Sequence, residues 1–251
     1  MLKPLPLLVA QITDLHLFAA IDHQLLDLPT HDSLQAVLER LAKLQPKPDI
    51  LLLTGDLSQD GSHKSYERLQ DLLVPFEIPT YWLAGNHNNL PVMQQVLSQP
   101  PVSSEKSFQA GGWHFLLLNS LVPGSVCGQL SQESLEWLDW QLQQQSDRPT
   151  LIGLHHPPCH VDSNWLDSST LQNPADFFAI IDRHPQVALV CLVTSIRNLI
   201  ISATKCVISD RLQLVFSLNL KVSTLRLTRL NRDLDFSLSS QTALMKLGLS
   251  G

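Results

Sequence analysis

Apolar residues along this chain gather in short unbroken runs that end in polar clusters, and these runs alternate with stretches of helical periodicity. Leu7 to Ile12 and Asp49 to Leu53 are two such runs, the pattern of strands buried on both faces inside a parallel sheet. Between them Leu34, Val37, Leu38, Leu41 and Leu44 recur at helical spacing behind Thr30 and Asp32, either of which can cap a helix. The unit reads β-α-β. It repeats with a helix over Tyr66 to Leu73 and a strand over Thr80 to Leu83. Phe115 to Leu118 and Leu151 to Leu154 are further strands, separated by a loop at Pro123-Gly124 and a helix carrying Leu135, Leu138 and Leu142. Ligands of open α/β sheets bind beyond the carboxyl ends of the strands, so the polar clusters at these run ends are expected to share one crevice.

After His184-Pro185 the texture changes. From Gln186 to Leu247 there is no Gly, Pro, His or Glu, and the only aromatics are Phe216 and Phe236. Period-two alternation from Leu212 to Leu220 and around Leu225-Arg226-Leu227 favours strands. The turn residues that should separate such strands are missing.

Composition narrows the functional classes. A chain of 251 residues can form one large α/β domain or two small ones, and buries roughly 70–75% of its unfolded surface. The net charge of −6, with both signs interspersed and no Lys/Arg cluster, argues against a nucleic-acid partner. The N-terminal stretch is broken by Pro4 and Pro6 and makes a poor signal segment, and no apolar run reaches the roughly 20 residues that span a bilayer. Cys127, Cys159, Cys191 and Cys206 show no C-x-x-C spacing, so reduced thiols and a cytoplasmic location away from membranes are expected.

Four polar clusters carry metal-binding side chains. Asp14 and His16 follow the first run, a carboxylate and an imidazole that suit Mn, Fe or Zn. Asp56, after Gly55, is placed where a carboxylate can bridge two cations about 3.5–4 Å apart. Gly85-Asn86-His87 joins a close-approach glycine to an amide oxygen and an imidazole, and His155-His156-Pro157-Pro158 ends the last run. Each cluster alone has a bland equivalent: a loop Asp beside a His, a helix-capping Asp, a turn built on Asn, two loop histidines. Their succession, each behind an apolar strand, outweighs those separate readings. His63, His114 and His160 lack such a setting and read as surface or packing residues.

The strings Gln11-Ile12-Thr13-Asp14-Leu15-His16-Leu17-Phe18, Thr54-Gly55-Asp56-Leu57-Ser58-Gln59-Asp60-Gly61, Tyr81-Trp82-Leu83-Ala84-Gly85-Asn86-His87 and Leu154-His155-His156-Pro157-Pro158 together resemble the calcineurin-like metallophosphoesterases, and within them the bacterial 3′,5′-cyclic AMP phosphodiesterases. The resemblance runs from about Val9 to Val190. It implies a two-sheet α/β sandwich flanked by helices, and two divalent or trivalent metal ions, Mn, Fe or Zn. Asp14 and His16 would hold one ion, Asp56 would bridge, and Asn86 and His155 would hold the other, His155 being chosen over His156 on the family pattern. His87 would be the acid or phosphate contact near the leaving oxygen, and the small-molecule partner a cyclic nucleotide. Asn88 departs from the acidic residue usual after that histidine.

The family closes its site with Gly-His-x-His after one more strand. Here the strand Gln186 to Val190 leads instead into Cys191-Leu192-Val193-Thr194-Ser195-Ile196-Arg197, and all ten histidines lie at or before His184. Regrouping each codon as its third base plus the next codon's first two permits Phe-Gly-His-Ile-His-Gln-Glu from Cys191 to Asn198. The same regrouping permits Gly-Ser-Pro-Ser-Thr-Cys-Val-Gln from Ser209 to Ser217, and both strings resemble the family's closing motifs in order. The expected organisation is therefore a metallophosphoesterase core over 1–190 and an aberrant tail over 191–251, translated out of frame after loss of one base near codon 190. Impaired cyclic AMP hydrolysis is the leading functional expectation. The alternatives are a phosphoesterase for another phosphodiester or nucleotide, and a non-catalytic nucleotide-binding pseudoenzyme.

Overall fold

The computed structural model describes residues 7–160, 167–194, 213–218 and 224–230, with side chains described as far as residue 191. Strand β1 (Leu7–Thr13) is followed by a small hairpin of β2 (Gln24–Leu25) and β3 (Leu28–Pro29), then helix α1 (Thr30–Lys43). Next come β4 (Ile50–Thr54), α2 (His63–Leu73), β5 (Thr80–Leu83), α3 (Leu90–Val96) and β6 (Val102–Ser103). The second half holds β7 (Ser107–Ala110), β8 (Trp113–Leu117), α4 (Gln132–Gln144), β9 (Thr150–Leu154) and α5 (Pro174–Ile181). It continues with β10 (Val187–Thr194), β11 (Gln213–Leu218) and β12 (Thr224–Leu230).

The strands form two five-stranded sheets in the orders β12-β1-β4-β5-β6 and β11-β10-β9-β8-β7. Pairing is parallel except for β12 against β1 and β7 against β8. The apolar runs are unbroken because every residue of β1, β4, β8 and β9 is buried. Period-two alternation then sends neighbours to opposite faces. Ile50 and Leu52 of β4 join Val9, Phe115, Leu151 and Leu189 between the sheets, while Leu51 and Leu53 pack outward with Leu34, Leu38 and Leu69 of α1 and α2. On the far side Leu116, Ile152 and Leu154 meet Leu138 and Leu142 of α4 and Phe177 of α5. The result is the two-sheet sandwich with outer helices that the sequence implied, and parallel pairing aims the carboxyl ends of β1, β4 and β5 in one direction.

Several local expectations are revised. Pro29 occupies the N-cap of α1 with no side-chain bond, so neither Thr30, which is buried, nor Asp32 caps it. Ser62, Asn89 and Ser131 cap α2, α3 and α4 by accepting from Ser65, Val92 and Ser134 N–H. Cys127 and Cys191 are reduced, the Cys191 thiol donating to Gln11 Oε1 at 3.1 Å, but Cys159 is disulfide-bonded, against the expectation of four reduced thiols. No helix among the described residues is long and apolar enough to cross a membrane. Strand β10 runs four residues past Val190, to Thr194, and residues 195–212, which hold the second half of the first regrouped string and Cys206, lie outside the described residues.

Lys106, between β6 and β7, donates to the Trp82 carbonyl and stands 3.1 Å from the centroid of the Trp82 ring. Burial lowers its pKa from 10.5 to about 7. The unfolded chain therefore binds a proton that the native state lacks between about pH 7 and 10.5, so this group's contribution to stability rises as pH rises through that window. In Lys106→Met the slope should flatten, by up to about 1.4 kcal/mol per pH unit. Denaturant midpoints taken between pH 7 and 10 check this, and an unchanged slope would contradict it.

Candidate metal centre

At the end of β1 the chain leaves the pleat through two left-handed residues, Asp14 (φ 54°) and His16 (φ 44°). After β4, Gly55 (φ 102°) and Asp56 (φ 50°) do the same. The two turns are stitched together by Asp14 N–H to Gly55 O (3.1 Å) and His16 N–H to Asp56 O (2.8 Å). Left-handed backbone costs a non-glycine residue on the order of 1–2 kcal/mol, so this pair of loops holds strain that the surrounding bonds must fix. Both turns bring their polar side chains to one spot.

His16 Nε2 lies 3.9 Å from an oxygen of Asp14 and 3.9 Å from Asp56 Oδ2. His155, at the end of β9 in the other sheet, places Nε2 3.5 Å from Asp56 Oδ2 and Nδ1 3.0 Å from the Thr54 carbonyl. His87 follows β5, and its backbone N–H donates to Asp56 Oδ1 at 3.0 Å. Ligand atoms of His16, Asp56 and His87 lie within 4.8 Å of one another, so His87 belongs to the same cluster as the expected ligands. Asn86 is half-buried in the turn after β5. His156 turns away: its Nδ1 is 2.7 Å from Ser120 Oγ, and a Cβ on Gly128 would fall 2.2 Å from that same ring nitrogen. Of the histidine pair, only His155 faces the carboxylates. His63 and His160 are exposed and His114 is buried beside Ser107.

The charges are strongly coupled. Burial pushes the Asp56 carboxyl up, but the charge and hydrogen bond of His155, with His16 and the His87 N–H, hold it well below the usual carboxylate range. His155 shows the converse: burial disfavours its charge, and Asp56 overrides this and lifts it to about 9. Asp14 is raised, mainly by burial, with His155 opposing. Burial lowers His87 and, aided by repulsion from His155, takes His156 down to about 3. A protonated His155 thus sits where cationic charge is favoured.

The donors fit metal ions. Buried carboxylates and imidazoles suit Mn, Fe or Zn, and cation binding can replace the His155 proton. Glycine is required around them: a Cβ on Gly85 would stand 2.2 Å from Asp56 Oδ1 and 2.7 Å from His155 Cε1, and one on Gly55 2.2 Å from His155 Nδ1.

Two supporting residues stand beside the expected ligands, Asn88, which the sequence marked only as a departure from the family's acid, and Gln59, to which it gave no role. Asn88 accepts from Gly85 N–H (2.8 Å) and Leu57 N–H (3.4 Å) and donates to Ser58 O (3.4 Å), tying the β4 and β5 loops together. An acid there could accept the same two bonds and lose the third. Gln59 contacts two histidines at once, His16 Nδ1 at 2.7 Å and His87 Nδ1 at 3.2 Å. Its only sequence signal is its place three residues after Asp56.

A family model described as calcineurin-like phosphoesterase matches residues 7–187. The chain is 50% identical over 188 residues to a 3′,5′-cyclic-nucleotide phosphodiesterase of Nostoc sp., covering 75% of this chain and 71% of that protein. It is 42% identical over 183 residues to a 3′,5′-cyclic adenosine monophosphate phosphodiesterase of Vibrio vulnificus, covering 72% and 67%. The protein of the same name from Escherichia coli K12 is 38% identical over 180 residues, covering 71% and 66%. Among solved structures, a dimetal phosphatase from Danio rerio superposes with a TM-score of 0.63 at 14% identity, over 90% of this chain and 93% of that one, which shows a shared fold.

Proposed function

Since the chain belongs to the calcineurin-like phosphoesterases, we propose that it is by descent a metal-dependent phosphodiesterase for 3′,5′-cyclic AMP, impaired because its tail is read out of frame. The observation that carries the first half is the meeting of Asp14, His16, Asp56 and His155 from three strand ends of two sheets. The names of the relatives support a cyclic nucleotide as the substrate. Asp14 and His16 are assigned to one metal ion, Asp56 to the bridge, and Asn86 and His155 to the second. When bound, the ions supply an activated water and neutralise charge on the phosphoryl oxygens.

The protein's own residues do the rest. Asp56 draws the imidazoles together and anchors the His87 backbone. His87, exposed and with burial disfavouring its charged form, is assigned to the leaving oxygen as proton donor or phosphate contact. Asn88 and the left-handed loops keep these groups in place, so that substrate meets a preorganised site.

The second half rests on the regrouped strings, and on the family model ending at residue 187, where the chain's texture changes. The closing histidines, one for each ion, are then absent from the polypeptide while their bases persist in the gene. The test is turnover of 3′,5′-cyclic AMP and of a panel of other phosphodiesters, with Mn, Fe or Zn supplied, by this chain and by one expressed with the frame restored. Base sequence through codons 185–200 checks the frame directly, since bases unable to encode Gly-His-x-His would rule out the shift.

A further inference from the structure

We infer that Gln59 is a positioning residue that sets opposite tautomers on His16 and His87 with the two ends of one amide. The inference rests on the proposed roles of those histidines, but its evidence is separate. Gln59 Oε1 lies 2.7 Å from His16 Nδ1, and an amide oxygen can only accept, so His16 carries its proton on Nδ1. The other nitrogen, Nε2, which faces Asp14 and Asp56 at 3.9 Å each, is left as a lone pair. That is the form a metal ligand needs. Gln59 Nε2 lies 3.2 Å from His87 Nδ1, and an amide nitrogen can only donate, so His87 must accept there. Its proton then sits on Nε2.

One uncharged side chain thus makes one histidine an electron-pair donor and its neighbour, at a ring-centroid separation of 5.1 Å and nearly perpendicular, a proton donor. No other common side chain of this length does both. A carboxylate accepts at both ends, an ammonium donates at both, and a hydrocarbon does neither. The reversed amide would place a donor against His16 Nδ1 and a protonated Nε2 toward the carboxylates, leaving His16 without the lone pair. The position of Gln59 supports the assignment, because the Gln59 N–H to Leu17 O bond (2.8 Å) locks the β4 loop to the β1 loop that carries His16.

The test is 15N–1H correlation NMR of the histidine side chains in the metal-free 251-residue protein at about pH 8.5, above the ordinary imidazole range. The wild type should show His16 as the Nδ1–H tautomer and His87 as the Nε2–H tautomer. In Gln59→Glu, His16 should keep its tautomer while His87 shifts toward Nδ1–H. In Gln59→Met both should lose their fixed preference, and Mn affinity, read by calorimetry, should fall roughly 10–100-fold. Unchanged His87 tautomers in both variants, or wild-type His16 protonated on Nε2, would overturn the inference. Because the tautomers are read without metal or substrate, a chain that binds no Mn would count against the proposed function and leave this result readable.

Discussion

Replacing Asp56 with Asn is expected to abolish metal binding at both positions and to lower any cyclic AMP hydrolysis by more than about 100-fold. The size follows from how many interactions meet at this carboxylate. Outer partners of a metal site are each worth roughly 10–100-fold in affinity or activity, and Asp56 is assigned as a ligand of both ions. It also faces His155 at 3.5 Å and receives the His87 N–H at 3.0 Å. The His87 contact survives an Asn substitution through the amide oxygen, so loop disorder is not the expected cause of the loss. The charge is what disappears. With it goes the largest part of the support that lifts His155 to about 9, and burial, then opposed only by Asp14 and the Thr54 carbonyl, should bring that imidazole down. Calorimetric Mn titration together with NMR titration of His155 checks both consequences. Retained stoichiometry of Mn in Asp56→Asn would remove Asp56 from the centre of the site.

Gly85→Ala should be nearly as damaging through packing alone. Its added Cβ would meet Asp56 Oδ1 at 2.2 Å, the Asp56 backbone nitrogen at 2.5 Å and His155 Cε1 at 2.7 Å. Two of those atoms belong to candidate ligands and the third is backbone, so no flexible side chain can yield. The β4 and β5 loops must separate, which also breaks the clamp of Asn88 on Gly85 N–H. Overpacking in a closed interior costs about 1–3 kcal/mol, and a shift of about 1 Å in a reacting group can cost on the order of 100-fold in rate. The expected result is a folded protein with a lowered denaturation midpoint and Mn affinity reduced by at least about tenfold. Wild-type stability with wild-type Mn affinity would show that the loops are not held as tightly as these contacts require.

What could be read from the sequence was what depends on local pattern. The strands β1, β4, β8 and β9 are legible because burial on both faces leaves mostly apolar runs such as Ile50–Thr54, and β5 because all but Tyr81 of its four residues are buried. The candidate site was legible because parallel strands end where ligands bind, and Asp14, His16, Asp56, His87 and His155 all follow such ends. Non-local features were not. Whether His155 or His156 faces Asp56 depends on the ring of His156 being drawn to Ser120 and on the missing Cβ of Gly128. The place of His87 beside His16 and the bridging by Gln59 depend on how the β4 and β5 loops lie against each other. The cap of α1 misled because Thr30 is drawn into the core, leaving Pro29 at the boundary. The short hairpin of β2 and β3 has too few residues to show a period, and its turn uses left-handed Leu26 and Asp27 without a glycine signal.

The tail ties the two halves of the proposal together. Strands β11 and β12 occupy edges of the two sheets, from the segments whose period-two pattern was apparent in sequence. A period of two survives many sequences, so strands there are compatible with a shifted frame, whereas histidines placed to hold metal ions are not. Catalysis is the property that distinguishes them. The most direct measurement is metal-dependent hydrolysis of 3′,5′-cyclic AMP by this chain, side by side with the frame-restored protein under the same Mn supply. The restored protein should turn over cyclic AMP, and this chain should show less than about 1% of that rate, as expected when losses exceed the outer-partner range. Equal rates would contradict the claim that closing histidines are missing from the site, and an inactive restored protein would contradict the assignment of the activity itself.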